Sequence, residues 1–342
     1  MAESEEKIIL LQWHDNNCFA IAVVQCMLNI PPIVDILVQF LKNLNIARRY
    51  IEGIDDEFKD KVLMNFAVVA KFIKNNPQGI GNHSLRIKRL LLSVYKLCRF
   101  EMGKYGDSRL FLLHLYNETN TSIETFNSRC KQLKVDRGLD LTINTLKSVT
   151  ELTWVFKHGV CDICNETRKD LRGKETIVSV GTYDFIYPNG TPIYTSFKAV
   201  FQGYLNFEVK ISCWECSFTN EDGVVIEKGN ITRRRYFEKL PQYLIVELSA
   251  LDDRVLFDCN IETEFEVELG NGKKNRLELS CAVKGQGGHA VSFIKKGDKW
   301  FYCDDWGYKH NPKLINNVND YFVIKRNEVK ERFYLFYKCV PC

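Results

Sequence analysis

Two cysteine pairs, Cys161-Asp-Ile-Cys164 and Cys213-Trp-Glu-Cys216, constrain this chain more than any other feature. Each CxxC can supply half of a tetrahedral thiolate site for zinc, so the pattern requires two distant segments to meet at one point. The interval between the pairs is longer than in a small zinc finger, and a metal held here would tie together the ends of two β-hairpins. Two unrelated pairs of buried cysteines, or a redox-active CxxC, are the competing readings. The presence of two pairs speaks against the redox one.

The 342 residues, 45% of them hydrophobic, can bury one large core or two modest ones. A balance of 47 Lys and Arg against 43 Asp and Glu leaves a formal charge of +4. That does not predict nucleic-acid binding, which needs a concentrated basic face. The opening Met1-Ala-Glu-Ser-Glu-Glu-Lys7 is acidic where a secretory signal is basic and then apolar, and no segment has the roughly 20 apolar residues of a membrane span. The expectation is an intracellular protein of the cytoplasm or nucleus with no membrane partner. In a reducing compartment the 13 cysteines are thiols, metal ligands or catalytic groups, and their odd number fits a disulfide framework poorly.

The first 150 residues read as helical. Cys18 to Leu28 is a compact apolar run behind the polar His14-Asp-Asn-Asn17, which predicts a buried helix starting at or near Cys18. From Ile33 to about Gln132 apolar residues recur at three-and-four spacing. Near Val155 the texture changes to short apolar stretches broken by Gly, Pro and Asn. Strands are predicted at Val178–Phe185, Phe197–Phe201, Tyr243–Leu248, Glu264–Leu269, Ala290–Ile294, Trp300–Tyr302 and Phe333–Tyr337, with Gly270-Asn-Gly272 as a hairpin turn. Helices followed by strands make an α+β protein with a cleft at the seam.

Cys18 at a helix start would find its thiolate favoured by backbone N–H groups and the helix dipole. The polar residues before it could donate to the oxyanion of a tetrahedral intermediate. Taken alone, Cys18 reads rather as a small residue opening a core helix, as Cys26 does. His289 follows Gly285-Gln-Gly-Gly288, and Asp304 and Asp305 end the next strand, so a hairpin would join imidazole and carboxylate. A Cys–His–Asp triad needs that pairing: His moves the thiol proton to the leaving amine, and Asp fixes the tautomer. A polar loop pair is the alternative.

Together these pieces resemble the catalytic domain of the ubiquitin-specific protease family. Asn16-Asn-Cys-Phe-Ala-Ile-Ala-Val-Val-Gln-Cys-Met27 resembles its Cys box, and Gly288-His289 through Trp300-Phe-Tyr-Cys-Asp-Asp305 its His box. Tyr105-Gly-Asp-Ser-Arg-Leu-Phe-Leu112, Leu240-Pro-Gln-Tyr-Leu-Ile-Val-Glu-Leu248 and Phe333–Tyr337 are similar to further segments of that family, in the same order. The resemblance implies one papain-like catalytic domain shaped as a hand: a helical thumb over 1–150, zinc-braced fingers over 151–245 and a β-sheet palm over 246–342. It implies a deubiquitinating thiol isopeptidase with Cys18 as nucleophile, His289 as general base and acid, and Asp304 orienting it beside Asp305. Zinc would be held by Cys161, Cys164, Cys213 and Cys216. Asp107, Gly287, Gly288 and Trp300 would lie on the substrate side, the glycines lining a channel for a Gly-Gly tail. Ubiquitin or ubiquitinated proteins are the implied partners.

The departures matter too. Five positions before the nucleophile, where the family has an oxyanion-stabilising Asn, stands Trp13, leaving Gln12, Asn16 or Asn17 to supply the donor. Asp15, Ala290, Lys284 and Leu110 also depart from the usual residues. Asp15-x-Asn17-Cys18 resembles, more faintly, the Cys box of ovarian-tumour-type deubiquitinases, which lack zinc fingers. These departures leave two other readings: a catalytically silent ubiquitin-binding scaffold, or a protease for another ubiquitin-like modifier. For the latter, Arg233-Arg-Arg235 could alter docking, although as a charge run it reads first as a solvated face.

Overall fold

The computed structural model describes residues 11, 17–76, 84–99, 107–181, 196–205, 208–219, 225–249, 259–270, 272–286, 288–304, 312–324 and 332–342. Up to Thr150 its regular structure is helical: α1 (Cys18–Met27), α2 (Pro31–Ala47), α3 (Ile54–Phe58), α4 (Val62–Asn75), α5 (Ser84–Cys98), α6 (Ser108–Arg137) and α7 (Lys147–Thr150). Every residue of α1 is buried, as expected of a helix that is apolar on all sides. Pro31 and Pro32 open α2, where a missing N–H costs nothing. Asp107 caps α6 by accepting from the N–H groups of Arg109 at 2.7 Å and Leu110 at 3.3 Å, and Gly138 ends it with φ 66°. No single described helix is long and apolar enough to cross a membrane.

The remainder is mainly β. In chain order it contains β1 (Leu152–His158), β2 (Leu171–Glu175), β3 (Ile177–Gly181), helix α8 (Phe197–Leu205), β4 (Glu208–Thr219), β5 (Val225–Lys239), β6 (Tyr243–Ser249) and β7 (Cys259–Asn260). There follow β8 (Glu264–Glu268), β9 (Lys274–Gln286), β10 (His289–Lys296), β11 (Lys299–Cys303), β12 (Lys313–Ile315), β13 (Val323–Ile324) and β14 (Arg332–Pro341). The larger sheet has the order β12-β11-β10-β9-β14-β6-β3, with β8 paired to β9, and the smaller one β2-β1-β5-β4. The expected turn between β8 and β9 carries Gly272 at φ 77°; Asn271 lies outside the described residues.

Alternation along the strands explains why the larger sheet can be apolar on both faces. Ile245, Cys281, Val283, Ala290, Ile294, Tyr334 and Phe336 join the core of the helical lobe. Their neighbours Leu244, Val246, Ala282, Phe293, Phe333, Leu335 and Tyr337 point the other way into a second core. Residues i and i+1 of a strand face opposite sides, so such two-sided burial produces continuous apolar runs.

Three expectations need correction. Phe197–Phe201 is the start of a helix, not a strand: Phe197, Val200, Phe201 and Tyr204 follow i, i+3, i+4, i+7 spacing, and the Ser196 hydroxyl accepts from the Ala199 N–H. The second CxxC sits within β4, not at a hairpin tip, and the β4–β5 register shifts between Ser212 and Ser217. In a regular strand residues three apart face opposite ways, so that irregularity is what lets both sulfurs share a side. Segment 151–245 also feeds both sheets, because β3 and β6 pair in the larger one and position 245 falls inside β6.

Candidate active site

Cys18 is the first residue of α1, and α1 packs on β9 and β10. The β9–β10 turn delivers the other half of the site. Gly288 there has φ 88°, a conformation that side chains disfavour. Its carbonyl accepts from the Cys18 thiol at 4.0 Å. His289 opens β10, and antiparallel pairing of Ser292 with Cys303 brings the start of β10 beside the end of β11. There the Asp304 Oδ1 meets His289 Nε2 at 2.9 Å.

That bond leaves Nδ1 for Cys18, whose hydrogen bond is the largest influence raising the His289 pKa to about 9. Burial opposes the rise, and Asp304 adds to it by charge and by hydrogen bonding. The arrangement holds the imidazole as a cation able to donate to a leaving amine until the pH passes about 9. The alkaline limb of the kcat profile is therefore expected near pH 9. Asp304→Asn removes one raising influence and should move that limb down by about 1–2 pH units. An unmoved limb in rate measurements would count against this pairing.

Asn17 precedes the nucleophile and is fully buried. Its side chain does not cap α1; its Oδ1 accepts instead from Tyr95 of α5 at 2.5 Å. Its Nδ2 is buried and, among the described residues, has no acceptor. Gln12, Asn16, Trp13, Asp305 and Gly287 lie outside the described residues.

The other expected contacts divide. Asp107 stands at the seam between the helical lobe and the larger sheet, and its carboxylate is already engaged: Oδ1 caps α6 and Oδ2 receives Arg332 Nη1 at 2.9 Å. Trp300 was expected beside substrate, yet it is 7% exposed and packs edge-on against Phe322 in the second core. Arg233 and Arg235 lie 3.6 Å over the rings of Phe156 and Tyr204, while Arg234 pairs with Glu208. Two of the three arginines are thus packed on aromatic faces and not simply solvated.

Sequence reasoning missed four polar residues. Tyr302 donates to Asp304 Oδ2 at 3.0 Å, fixing the second oxygen of the carboxylate. It stands two residues earlier in β11, so strand periodicity carried that signal. Glu247, buried in β6, accepts from the Ser179 hydroxyl at 2.8 Å and pairs with Arg109 at 3.2 Å. Arg332 and Arg109 bind the seam from opposite sides, a long-range pairing that no local pattern announces.

The sulfurs of Cys161, Cys164, Cys213 and Cys216 lie within 4.8 Å of one another, close enough to bind one metal ion. Cys161–Cys216 and Cys164–Cys213 are 3.4 and 3.8 Å apart. Backbone N–H groups of Cys164 and Ile163 pull the Cys161 thiol down to about 7, whereas burial and the neighbouring thiols push Cys216 up to about 12. A Cβ on Gly229 would stand 2.4 Å from the Cys161 sulfur and 2.6 Å from that of Cys216, so only glycine fits there.

A thiol at a helix start, facing an imidazole that a carboxylate orients, defines a papain-like cysteine hydrolase. The chain belongs to the ubiquitin carboxyl-terminal hydrolase family, whose profile, described as "Ubiquitin carboxyl-terminal hydrolase", matches residues 11–337. It is a cysteine-type ubiquitin C-terminal hydrolase, a divergent member of the ubiquitin-specific proteases. Among solved structures it is similar to the SAGA DUB module of Ubp8, Sgf11, Sus1 and Sgf73 bound to monoubiquitin. That match has 15% identity and a TM-score of 0.61, over 98% of this chain and 71% of that one. The same module bound to ubiquitin aldehyde matches with 13% identity and a TM-score of 0.61 over 98% and 71%. A yeast SAGA DUB module with an Sgf73 variant matches with 16% identity and a TM-score of 0.61 over 99% and 70%. No curated protein sequence matches the chain.

Proposed function

We propose that the chain hydrolyses the bond after the C-terminal glycine of ubiquitin through a thioester on Cys18. The observation that carries this reading is the convergence of Cys18 and Asp304 on the two sides of one His289 ring. The Cys18 thiolate attacks the glycine carbonyl carbon, and collapse of the tetrahedral intermediate breaks the C–N bond as His289 protonates the departing amine. His289 then takes a proton from water, which attacks the thioester. The glycine carboxylate leaves and the thiol is restored. Asp304, itself held by Tyr302, keeps the imidazole in the productive tautomer.

The oxyanion donors proposed are the N–H groups at the start of α1 with Asn17, Asn16 or Gln12. Asp107, Gly287 and Gly288 are proposed to flank the tail. Residues 1–150 would act as thumb, 151–245 chiefly as fingers and 246–342 as palm. Ubiquitin in the Ubp8 structures supports ubiquitin as the partner. An intracellular location, cytoplasmic or nuclear, agrees with the thiol state of the described cysteines.

Zinc is the proposed occupant of the four-cysteine cluster. Tetrahedral Zn–S bonds of about 2.3 Å imply sulfurs about 3.8 Å apart, and the Cys161–Cys216 and Cys164–Cys213 separations of 3.4 and 3.8 Å suit that geometry. Bound there, the ion would brace the fingers and take no part in the chemistry.

The test is reaction with a panel of C-terminal electrophiles built on ubiquitin and other ubiquitin-like modifiers, with the adduct mapped by mass spectrometry. Labelling of Cys18 by the ubiquitin probe is expected. Tight ubiquitin binding without labelling would identify a silent scaffold instead, and selective labelling by a different modifier would reassign the substrate.

A further inference from the structure

The nucleophile's position depends on a residue outside the site itself. Tyr95, on α5, is 2% exposed, and both flanks of Cys18 are fastened to it. Its hydroxyl meets Asn17 Oδ1 at 2.5 Å. Its ring stacks on Phe19 with centroids 6.1 Å apart and planes 10° from parallel. Phe111 of α6 closes the cluster edge-on, with centroids 6.1 Å from Phe19 and 5.9 Å from Tyr95. The residues before and after the nucleophile are thus gripped by one side chain, which leaves the first turn of α1 little freedom to slide or rotate.

The length of the polar bond also fixes which way the Asn17 amide faces. O–H···O bonds run about 2.5–3.0 Å and N–H···O bonds about 2.7–3.2 Å, so a contact of 2.5 Å is a hydroxyl donating to the amide oxygen. Nδ2 is then directed away from Tyr95 and stays buried without an acceptor among the described residues.

We propose that Tyr95 is a positioning residue for the hydrolysis: through the Asn17 amide on one side and the Phe19 ring on the other it locks Cys18 at the head of α1. This rests on the reading of Cys18 as nucleophile.

The test is steady-state hydrolysis of a ubiquitin C-terminal amide by the full chain. Tyr95→Phe keeps the ring stack and loses the hydroxyl; kcat should fall about tenfold, the value of one lost hydrogen bond, with KM unchanged. Asn17→Ala should lower kcat by a similar factor, and the double variant no further than the more damaging single one, because both changes remove the same interaction. Tyr95→Leu, which loses stack and hydroxyl together, should cost more than Tyr95→Phe. Some stability is also lost with a buried hydroxyl partner, so the separation of kcat from KM is the decisive readout. Wild-type kcat in Tyr95→Phe, a parallel change in KM, or multiplicative effects in the double variant would each overturn the proposal. Turnover retained by Cys18→Ala would overturn the nucleophile assignment itself. An inactive Cys18→Ala with an undiminished Tyr95→Phe would overturn the role of Tyr95 alone.

Discussion

Cys18→Ala is expected to lower turnover of a ubiquitin C-terminal amide by about 10⁴–10⁶-fold, the range seen when a covalent nucleophile is removed from a catalytic unit. The alanine keeps the small buried volume at the start of α1, where Cys18 is 7% exposed, so the fold should persist. Ubiquitin affinity should persist as well, since the thiol offers almost no surface to a protein-sized substrate. Combining Cys18→Ala with His289→Ala should add little, because members of one unit are not additive. Initial rates beside a binding titration check both halves. Turnover within tenfold of wild type, or affinity lost together with rate, would remove Cys18 from the role assigned to it.

Loss of the cysteine cluster should act on a different quantity. Around the four sulfurs the buried apolar residues are few: Ile231 joins Cys161, Cys213 and Cys216, with Ile163, Cys164 and Ile211 partly buried beside them. Such a core cannot hold the ends of β4 and β5 by itself, and structural zinc sites in small peptides contribute about 10–16 kcal/mol of apparent binding free energy at neutral pH. Cys161→Ser or Cys213→Ser is therefore expected to abolish stoichiometric zinc and to loosen the β4–β5 pairing around the cluster while the two larger cores remain folded. Amide exchange should rise across 159–166, 209–219 and 225–232 and change little in α1 or β10. If these strands grip the body of ubiquitin, KM rises while kcat per bound substrate holds. Unchanged exchange after complete zinc removal would show that the cluster does not brace the strands.

Legibility in the sequence followed the range of the interactions. The helical lobe and most strands announced themselves because burial repeats locally, at 3.6 residues in α2 and α4 and at two in β8. His289 and Asp304 could be paired because a short hairpin joins them. The helix at Phe197–Leu205 was misread because a short apolar run fits either period until its partners are known, here Phe237, Phe265 and Tyr337. Trp300 was misplaced for a related reason: adjacency to the His box in sequence says nothing about the face on which a strand residue emerges. Contacts such as Asp107–Arg332 and Tyr95–Asn17 join elements far apart in the chain, and only the assembled fold brings them together.

The order of the larger sheet has a consequence for the birth of the protein. β14 lies between β9 and β6, at the middle of the sheet, although it is the last described strand in the chain. Chains emerge from the ribosome N-terminus first, so Cys18 is exposed to the cell long before residues 332–341 arrive to join β9 to β6. Until then β9 and β10, which carry His289 toward Cys18, lack their central neighbour. The nascent chain would remain inert toward the ubiquitin around it and gain activity only once β14 has emerged and taken its place between β9 and β6.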